Sequence, residues 1–124
     1  RGETCHMTHP KHILGRYGEQ AACDFLVSIG HEIIDRNWHG PTGELDIVTR
    51  VAGLTVFVEV KTRNGRGFGH PFEAITETKA GRMRRTAAAW LTAKQVGPVP
   101  VRFDALSVLV EGGRVHIEHM KQVL

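Results

Sequence analysis

Cysteine and long hydrophobic runs are both scarce in this sequence of 124 residues. Its only two cysteines, Cys5 and Cys23, are predicted to lie in an N-terminal tail and in a helix, so neither a disulfide framework nor a zinc site is expected. No apolar run approaches the roughly 20 residues that cross a bilayer. The N-terminus also lacks the apolar segment of a secretory signal. These absences favour a cytoplasmic protein that has no membrane partner.

The composition is that of an ordinary globular protein, with 41% hydrophobic and 23% charged residues. A chain of this length suits one hydrophobic core rather than two. We predict a flexible N-terminal tail over residues 1–11 and a single domain over residues 12–124. The formal net charge of +3 is mildly basic and leaves an anionic partner open.

The hydrophobic periodicity predicts two helices and five strands. A first helix runs from Ile13 to Ile29 and ends at Gly30, and a long second helix runs from about Phe72 to Gln95. Between them, a glycine-rich loop is predicted over residues 64–71. Strands are predicted over residues 31–38, on both sides of an Ala52-Gly53 turn, over residues 102–110 and over residues 114–119. This order predicts a mixed α/β fold whose sheet is flanked by helices.

The two strands around the Ala52-Gly53 turn carry charged residues on one face. Successive strand residues point to opposite faces, so Glu44 shares a side with Asp46, and Glu59 with Lys61. A two-residue turn would pair Val51 with Leu54. Counting back from that pair puts Asp46 opposite Glu59 and Glu44 opposite Lys61.

Two carboxylates placed directly across a strand pair repel each other, and a divalent cation is the simplest group that offsets this repulsion. Mg²⁺ or Mn²⁺ would take Asp46, Glu59 and the carbonyl of Val60 as ligands. Lys61 could orient a water molecule or stabilise charge on a phosphate. Glu19 falls at the border of the buried face of the first helix, where its carboxylate could reach the edge of the sheet.

Simpler readings of the same residues stay open. One face of an antiparallel sheet commonly carries solvated charge, and Glu44 opposite Lys61 would form an ordinary cross-strand ion pair. Glu19 could be a plain exposed helix residue. The repulsive placement of Asp46 and Glu59 is the feature that favours a metal site over a solvated face.

Positive charge is concentrated on the second helix and next to the glycine-rich loop. Phosphate contacts dominate nonspecific nucleic-acid affinity and need little more than such a distribution. The predicted nucleic-acid-binding residues are Arg63, Arg66, Lys79, Arg82 and Arg85. An alternative is that these side chains only solvate an amphipathic helix.

An ordered set of segments resembles a known protein family. The G-E-x-D segment of residues 43–46, followed after a hairpin by E-V-K at residues 59–61, resembles the PD-(D/E)XK nuclease superfamily. More narrowly, the chain is similar to the uncharacterised YraN-type family, which resembles archaeal Holliday-junction resolvases. The supporting segments are GRYGEQAACDFL, RNW, GELDIV, VFVEVKTR, FGHPFEAI and RFDALSV.

The resemblance implies a restriction-endonuclease-like αβββαβ core and a Mg²⁺- or Mn²⁺-dependent endonuclease. Asp46, Glu59 and Lys61 take the places of the catalytic Asp, Glu and Lys, and Glu19 matches the glutamate of the first helix. Leu45 stands where the superfamily has a proline, and the role of Glu44 stays open.

The implied substrate is nucleic acid, with branched DNA the expected case, and a resolvase-like role would require a homodimer. Two other functions are compatible with these residues. One is a nucleic-acid-binding accessory protein that does not cleave. The other is a hydrolase of small phosphate esters, which is disfavoured because no glycine-rich phosphate loop joins a strand to a helix.

Overall fold

A computed structural model describes residues 10–64 and 75–124, with side chains described from Arg16 onward. Two helices and five strands form in this part of the chain. In order, they are α1 (Pro10–Ser28), β1 (Glu32–Gly40), β2 (Gly43–Val51), β3 (Leu54–Asn64), α2 (Glu77–Ala93), β4 (Val101–Glu111) and β5 (Arg114–Met120).

The five strands form one mixed sheet in the order β1-β2-β3-β4-β5. The first three strands are antiparallel neighbours, β3 and β4 are parallel, and β4 and β5 are again antiparallel. Parallel strands cannot be joined by a tight turn, and α2 supplies the crossover between β3 and β4. The predicted mixed α/β fold with an αβββαβ core is confirmed.

Helix α1 follows the predicted pattern and begins at Pro10, ahead of the predicted Ile13. Ala22 and Leu26 are fully buried, as expected for the apolar stripe. The helix is followed by Gly30, whose φ of +98° is the left-handed conformation that glycine adopts readily at a helix end. Pro10 and Lys11 belong to this helix, and the rest of the predicted tail lies outside the described residues.

The hairpin between β2 and β3 has the predicted turn. Ala52 and Gly53 have φ values of +51° and +79°, as a type I′ turn requires, and Val51 pairs with Leu54. The positive φ at both central positions matches the right-handed twist of the flanking strands, so the turn fixes the register of the hairpin.

The predicted register does not extend to the acidic residues. The ladder between β2 and β3 ends at the pair Ile47–Val58, so the predicted pairs of Asp46 with Glu59 and of Glu44 with Lys61 lie beyond its end and are not part of it. The Asp46 carboxylate instead accepts a hydrogen bond from the backbone of β3, as described below. Glu44 pairs in register with His39 of β1.

Helix α2 begins later than its pattern predicts. Thr76 is the N-cap, with extended backbone angles, and its hydroxyl accepts a hydrogen bond from the Lys79 N–H at 3.1 Å. The predicted start at Phe72 is therefore wrong, because a side-chain cap at Thr76 defines the first turn. Residues 65–74, which include most of the predicted loop, lie outside the described part. Among the described residues, neither helix is long and apolar enough to cross a membrane.

The sheet is covered by one helix on each face, and each face has its own core. On the α1 face the buried side chains are Ala22, Cys23, Leu26, Ile47, Val56, Val58, Leu106 and Val108. On the α2 face they are Leu45, Val48, Phe57, Ala87 and Trp90. Leu45 and Phe57 of the core on the α2 face also line the cleft described below.

Gly18 permits the close approach of α1 to β3. A Cβ atom at this position would overlap Oγ1 of Thr62 and lie 2.8 Å from its Cβ, so rotating the threonine cannot relieve the clash. We therefore expect Gly18→Ala to destabilise the fold by about 1–3 kcal/mol, although alanine is the better helix former.

Chemical denaturation measures this change, and Gly81→Ala in α2 is the matched control. A Cβ at Gly81 meets only the flexible end of Arg85, at 3.3 Å, so this variant should be neutral or stabilised by up to about 1 kcal/mol. Equal stability of the two variants would contradict the role assigned to Gly18.

Candidate functional site

A cleft of about 430 Å³ lies between α2 and the strands β2 and β3. Its charged lining residues are Glu44, Asp46, Glu59, Lys79 and Arg82. Apolar side chains form much of the remaining wall, among them Leu45, Phe57, Met83 and Phe103. The structure thus places two of the predicted metal ligands, Asp46 and Glu59, in one cleft together with two of the predicted nucleic-acid-binding residues.

Asp46 is held in place by the neighbouring strand. The Val60 backbone N–H donates to Oδ2 of Asp46 at 2.8 Å, beyond the point where the β2–β3 ladder ends. Burial raises the pKa of Asp46 to about 6, the Val60 hydrogen bond opposes this, and the negative charges of Glu19, Glu59 and Glu44 raise it further. A pKa this high means that the surrounding protein groups stabilise the ionised form of Asp46 too weakly to offset its burial.

Glu59 forms an ion pair with helix α2. Oε2 of Glu59 lies 2.9 Å from Nζ of Lys79, and both side chains are partly exposed to solvent. Lys79 was predicted to contact nucleic acid, whereas here it neutralises a predicted metal ligand. The contact joins β3 to the first turn of α2 and closes one side of the cleft.

Lys61 lies two residues beyond Glu59 on β3 and is exposed, in register with Ser107 of β4. Among the described residues it makes no ion pair or hydrogen bond through its side chain. Its ammonium group is therefore available to a ligand. Glu44 is exposed as well, and its carboxylate lies 3.9 Å from the His39 ring.

Glu19 is positioned from the opposite face by β1. The side-chain amide of Asn37 donates to Oε1 of Glu19 at 3.0 Å, and Glu19 is close enough to raise the pKa of Asp46. Sequence reasoning missed the role of Asn37, which has a left-handed φ of +52°. Asparagine tolerates this conformation better than most residues, so an Asn in a strand next to a charged motif is the signal that was available.

The predicted basic residues are spread over several places. Lys79 and Arg82 line the cleft, whereas Arg85 is exposed on α2 and lies outside the lining. Arg63 lies on β3, four residues beyond Glu59. Arg66 falls outside the described residues. Of the four predicted cations that the structure describes, the cleft therefore gathers two.

The oxygen donors of the cleft suit a hard divalent cation. Asp46 and Glu59 supply carboxylate oxygens, the type of ligand that Mg²⁺ and Mn²⁺ prefer, and Mg²⁺ usually takes only one or two carboxylates and keeps several waters. Within residues 10–64 and 75–124, no three His, Cys, Asp or Glu side chains are grouped at metal-binding distance. Glu19 is thus not placed as a direct third ligand. The donor set fits a water-rich site built on two carboxylates.

The fold and cleft together define the class: a mixed α/β protein with an αβββαβ core and an acidic cleft between the sheet and α2. The model of the uncharacterised protein family UPF0102, the YraN family, matches residues 18–108, and the chain belongs to this family. The resemblance to the YraN-type family is therefore confirmed.

Relatives of the same family match over nearly their whole length. A UPF0102 protein of Nocardia farcinica is 52% identical, over 91% of this chain and 90% of the relative. A UPF0102 protein of Beutenbergia cavernae is 45% identical, over 91% of this chain and 97% of the relative. A third, from Frankia alni, is 46% identical over 90% and 93% of the two chains.

Proposed function

We propose that this protein is a divalent-metal-dependent nuclease that acts on the phosphodiesters of nucleic acid, with branched DNA as its substrate. The observation that carries the proposal is the shared cleft of Asp46 and Glu59, which has Lys79 and Arg82 on its other wall. Carboxylates that bind a metal and cations that bind phosphates are the two groups that such a reaction requires.

Each residue of the cleft has a distinct task in this proposal. Asp46 and Glu59 hold Mg²⁺ or Mn²⁺, with the Val60 carbonyl as a further oxygen donor. The bound ion supplies charge stabilisation at the scissile phosphate and a water of lowered pKa. Lys61 orients the attacking water, and Glu19 with Asn37 keeps negative charge close to Asp46, which strengthens cation binding.

The cationic side of the cleft positions the substrate. Arg82 and the other basic residues of α2 contact phosphates, which gives affinity without sequence preference. For a junction, which presents two symmetric strands, a two-fold dimer would place two clefts on one substrate.

The free, buried thiol of Cys23 suits a reducing compartment, and the cytoplasm is the proposed location.

The test is cleavage of a synthetic four-way junction and of a matched linear duplex. With Mn²⁺ or Mg²⁺ we expect cutting of the junction, and with EDTA none. Glu59→Ala should lower the rate at least about 100-fold, because it removes a ligand that stabilises the transition state.

Glu32→Ala is the matched control, since Glu32 is an exposed glutamate on β1 that does not line the cleft. It should cut like the unmodified protein, and both variants should keep the circular dichroism spectrum of the fold. Cutting by Glu59→Ala at the control's rate would refute the nuclease assignment.

One observation favours a second function, a nucleic-acid-binding accessory protein that does not cleave. Lys79 already neutralises Glu59, so the cleft has a counter-charge without a metal. Calorimetric titration separates the two functions. Retained binding of junction DNA with no uptake of Mn²⁺ would favour the accessory role, and uptake of Mn²⁺ would favour the nuclease.

A further inference from the structure

Lys79 and Glu59 form an ion pair inside the cleft, with 2.9 Å between Nζ and Oε2. Glu59 is one of the two carboxylates that the proposed function assigns to the metal. Within the described part of the chain, Lys61, on the same strand as Glu59, makes no such contact. The cation that neutralises Glu59 therefore comes from α2, across the cleft, rather than from its own strand.

Lys79 lies in the first turn of α2, three residues after the N-cap Thr76. A positive side chain is disfavoured there, because the N-terminal end of a helix already carries partial positive charge. The ion pair with Glu59 offsets this cost. It is a partly exposed contact, with 43% of the Lys79 side chain and 25% of the Glu59 side chain accessible, so it is weak enough to be exchanged.

We infer that Lys79 and a divalent cation compete for Glu59, and that metal binding releases Lys79 to contact the phosphate of the substrate. This inference rests on the proposed function. Nζ of Lys79 lies within 2.9 Å of Oε2 of Glu59, and both residues line the cleft. If Glu59 binds a cation instead, the Lys79 ammonium group stays in the same cleft as Arg82, and its positive charge is no longer neutralised.

Metal and nucleic acid would then bind to the cleft cooperatively. Without metal, the positive charge of Lys79 is neutralised by Glu59 and adds little to phosphate binding. With metal, the same charge becomes available, so the cation increases the number of phosphate contacts as well as supplying the chemistry. Lys79 would then be a positioning residue whose effect depends on the metal.

Calorimetric titration with Mn²⁺ tests the competition directly. Lys79→Gln should bind Mn²⁺ about two- to fivefold more tightly than the unmodified protein, because the competing ion pair is absent. Arg84→Gln is the matched control, since it removes one positive charge from an exposed position of α2 outside the cleft lining. Arg84→Gln should change the affinity for Mn²⁺ clearly less than Lys79→Gln does. A purely structural role for Lys79 predicts the opposite sign, namely weaker metal binding.

The second measurement is the salt dependence of junction binding, once in EDTA and once in Ca²⁺. Lys79→Gln should leave the slope of log K against log salt unchanged in EDTA and reduce it by about 0.9 in Ca²⁺, the value for one lost phosphate contact. An equal reduction in both conditions would overturn the inference, because Lys79 would then contact phosphate whether or not metal is bound.

The outcomes separate this inference from the proposed function. If the unmodified protein binds Mn²⁺ and Lys79→Gln binds it equally or more weakly, the competition is refuted and the metal site stands. If only Lys79→Gln takes up Mn²⁺, the competition is supported, because the ion pair with Lys79 then prevents metal binding in the unmodified protein. If neither takes up Mn²⁺, the metal site and the competition both fall.

Discussion

Replacing Asp104 with asparagine should destabilise this protein by about 3–5 kcal/mol, the cost of removing one partner from a buried charge cluster. Asp104 lies on β4, and its side chain is fully buried. Its carboxylate accepts two hydrogen bonds from Arg102, at 2.7 and 2.6 Å, one from the His119 ring at 2.8 Å and one from the Gln122 backbone at 3.1 Å. Asparagine has one acceptor oxygen where the carboxylate has two, and its NH2 group would face one of these donors.

The pH dependence of this effect has a definite sign. Burial raises the pKa of Asp104, but the hydrogen bonds from Arg102, Gln122 and His119 outweigh it, so the pKa lies below its ordinary value. A carboxyl with a depressed pKa stabilises the folded state above the pKa of the unfolded chain, about 3.9. This contribution is lost as the pH falls through the folded-state pKa. The penalty of Asp104→Asn is therefore full at neutral pH and shrinks below about pH 4.

Thermal and denaturant unfolding at pH 7 and at acidic pH measure both parts of the prediction. Asp24→Asn, on the exposed face of α1, is the matched control and should stay within about 0.5 kcal/mol of the unmodified protein. A loss below about 1 kcal/mol for Asp104→Asn at pH 7 would contradict the role assigned to this cluster.

Asp46→Asn should have the opposite effect and stabilise the folded protein by about 1–2 kcal/mol at pH 8 in the absence of metal. Burial and three neighbouring carboxylates raise the pKa of Asp46 to about 6, so its ionised form is disfavoured in the folded state. Asparagine keeps an oxygen that can accept the Val60 N–H, now 2.8 Å from the carboxylate, and it removes the charge. Stability gained on removing a charged group is the usual sign that the group serves function.

The sign of the pH dependence follows from the raised pKa. Between about pH 4 and pH 6 the folded state binds a proton at Asp46 that the unfolded chain has released, so stability falls as the pH rises through this window. Above about pH 6, the cost of the ionised Asp46 to folding stability no longer changes with pH. The gain from Asp46→Asn should be full above about pH 7 and should vanish below about pH 4.

Addition of Mn²⁺ should make the unmodified protein more stable than the Asp46→Asn variant. The unmodified protein gains stability as the metal binds, whereas the variant has lost a ligand and should gain little. Cleavage of the junction should fall at least about 100-fold in the variant. Urea unfolding at pH 8 with EDTA and with Mn²⁺ gives the comparison. Lower stability of Asp46→Asn in EDTA would show that the Asp46 charge is compensated in the folded protein.

Much of the fold follows from local sequence pattern. The alternation along β2 and β3 and the Ala52-Gly53 turn each depend on neighbouring residues, and each forms as predicted. Helix α1 and its glycine end are equally local. The predicted start of α2 at Phe72 is wrong because the apolar pattern does not mark the first turn, which the cap at Thr76 sets.

Only part of the candidate site could be predicted from the sequence. Counting from the turn correctly identified the Val51–Leu54 pair, but it assumed that the ladder continues to the acidic residues. The ladder ends before them, and the Asp46 carboxylate accepts its hydrogen bond from the backbone of the next strand. No pattern within either strand contains this information.

The sequence by itself determined which segments become strands and helices and which residues carry the charges, because side-chain period and backbone freedom are properties of short segments. The tertiary structure alone decided that Lys79 meets Glu59, that Asn37 holds Glu19 and that Asp104 is buried among Arg102 and His119. Most of these contacts join residues on different elements. They form only after the crossover through α2 and the packing of α1 have placed those elements, so their partners are set by the fold and cannot be read from spacing along the chain.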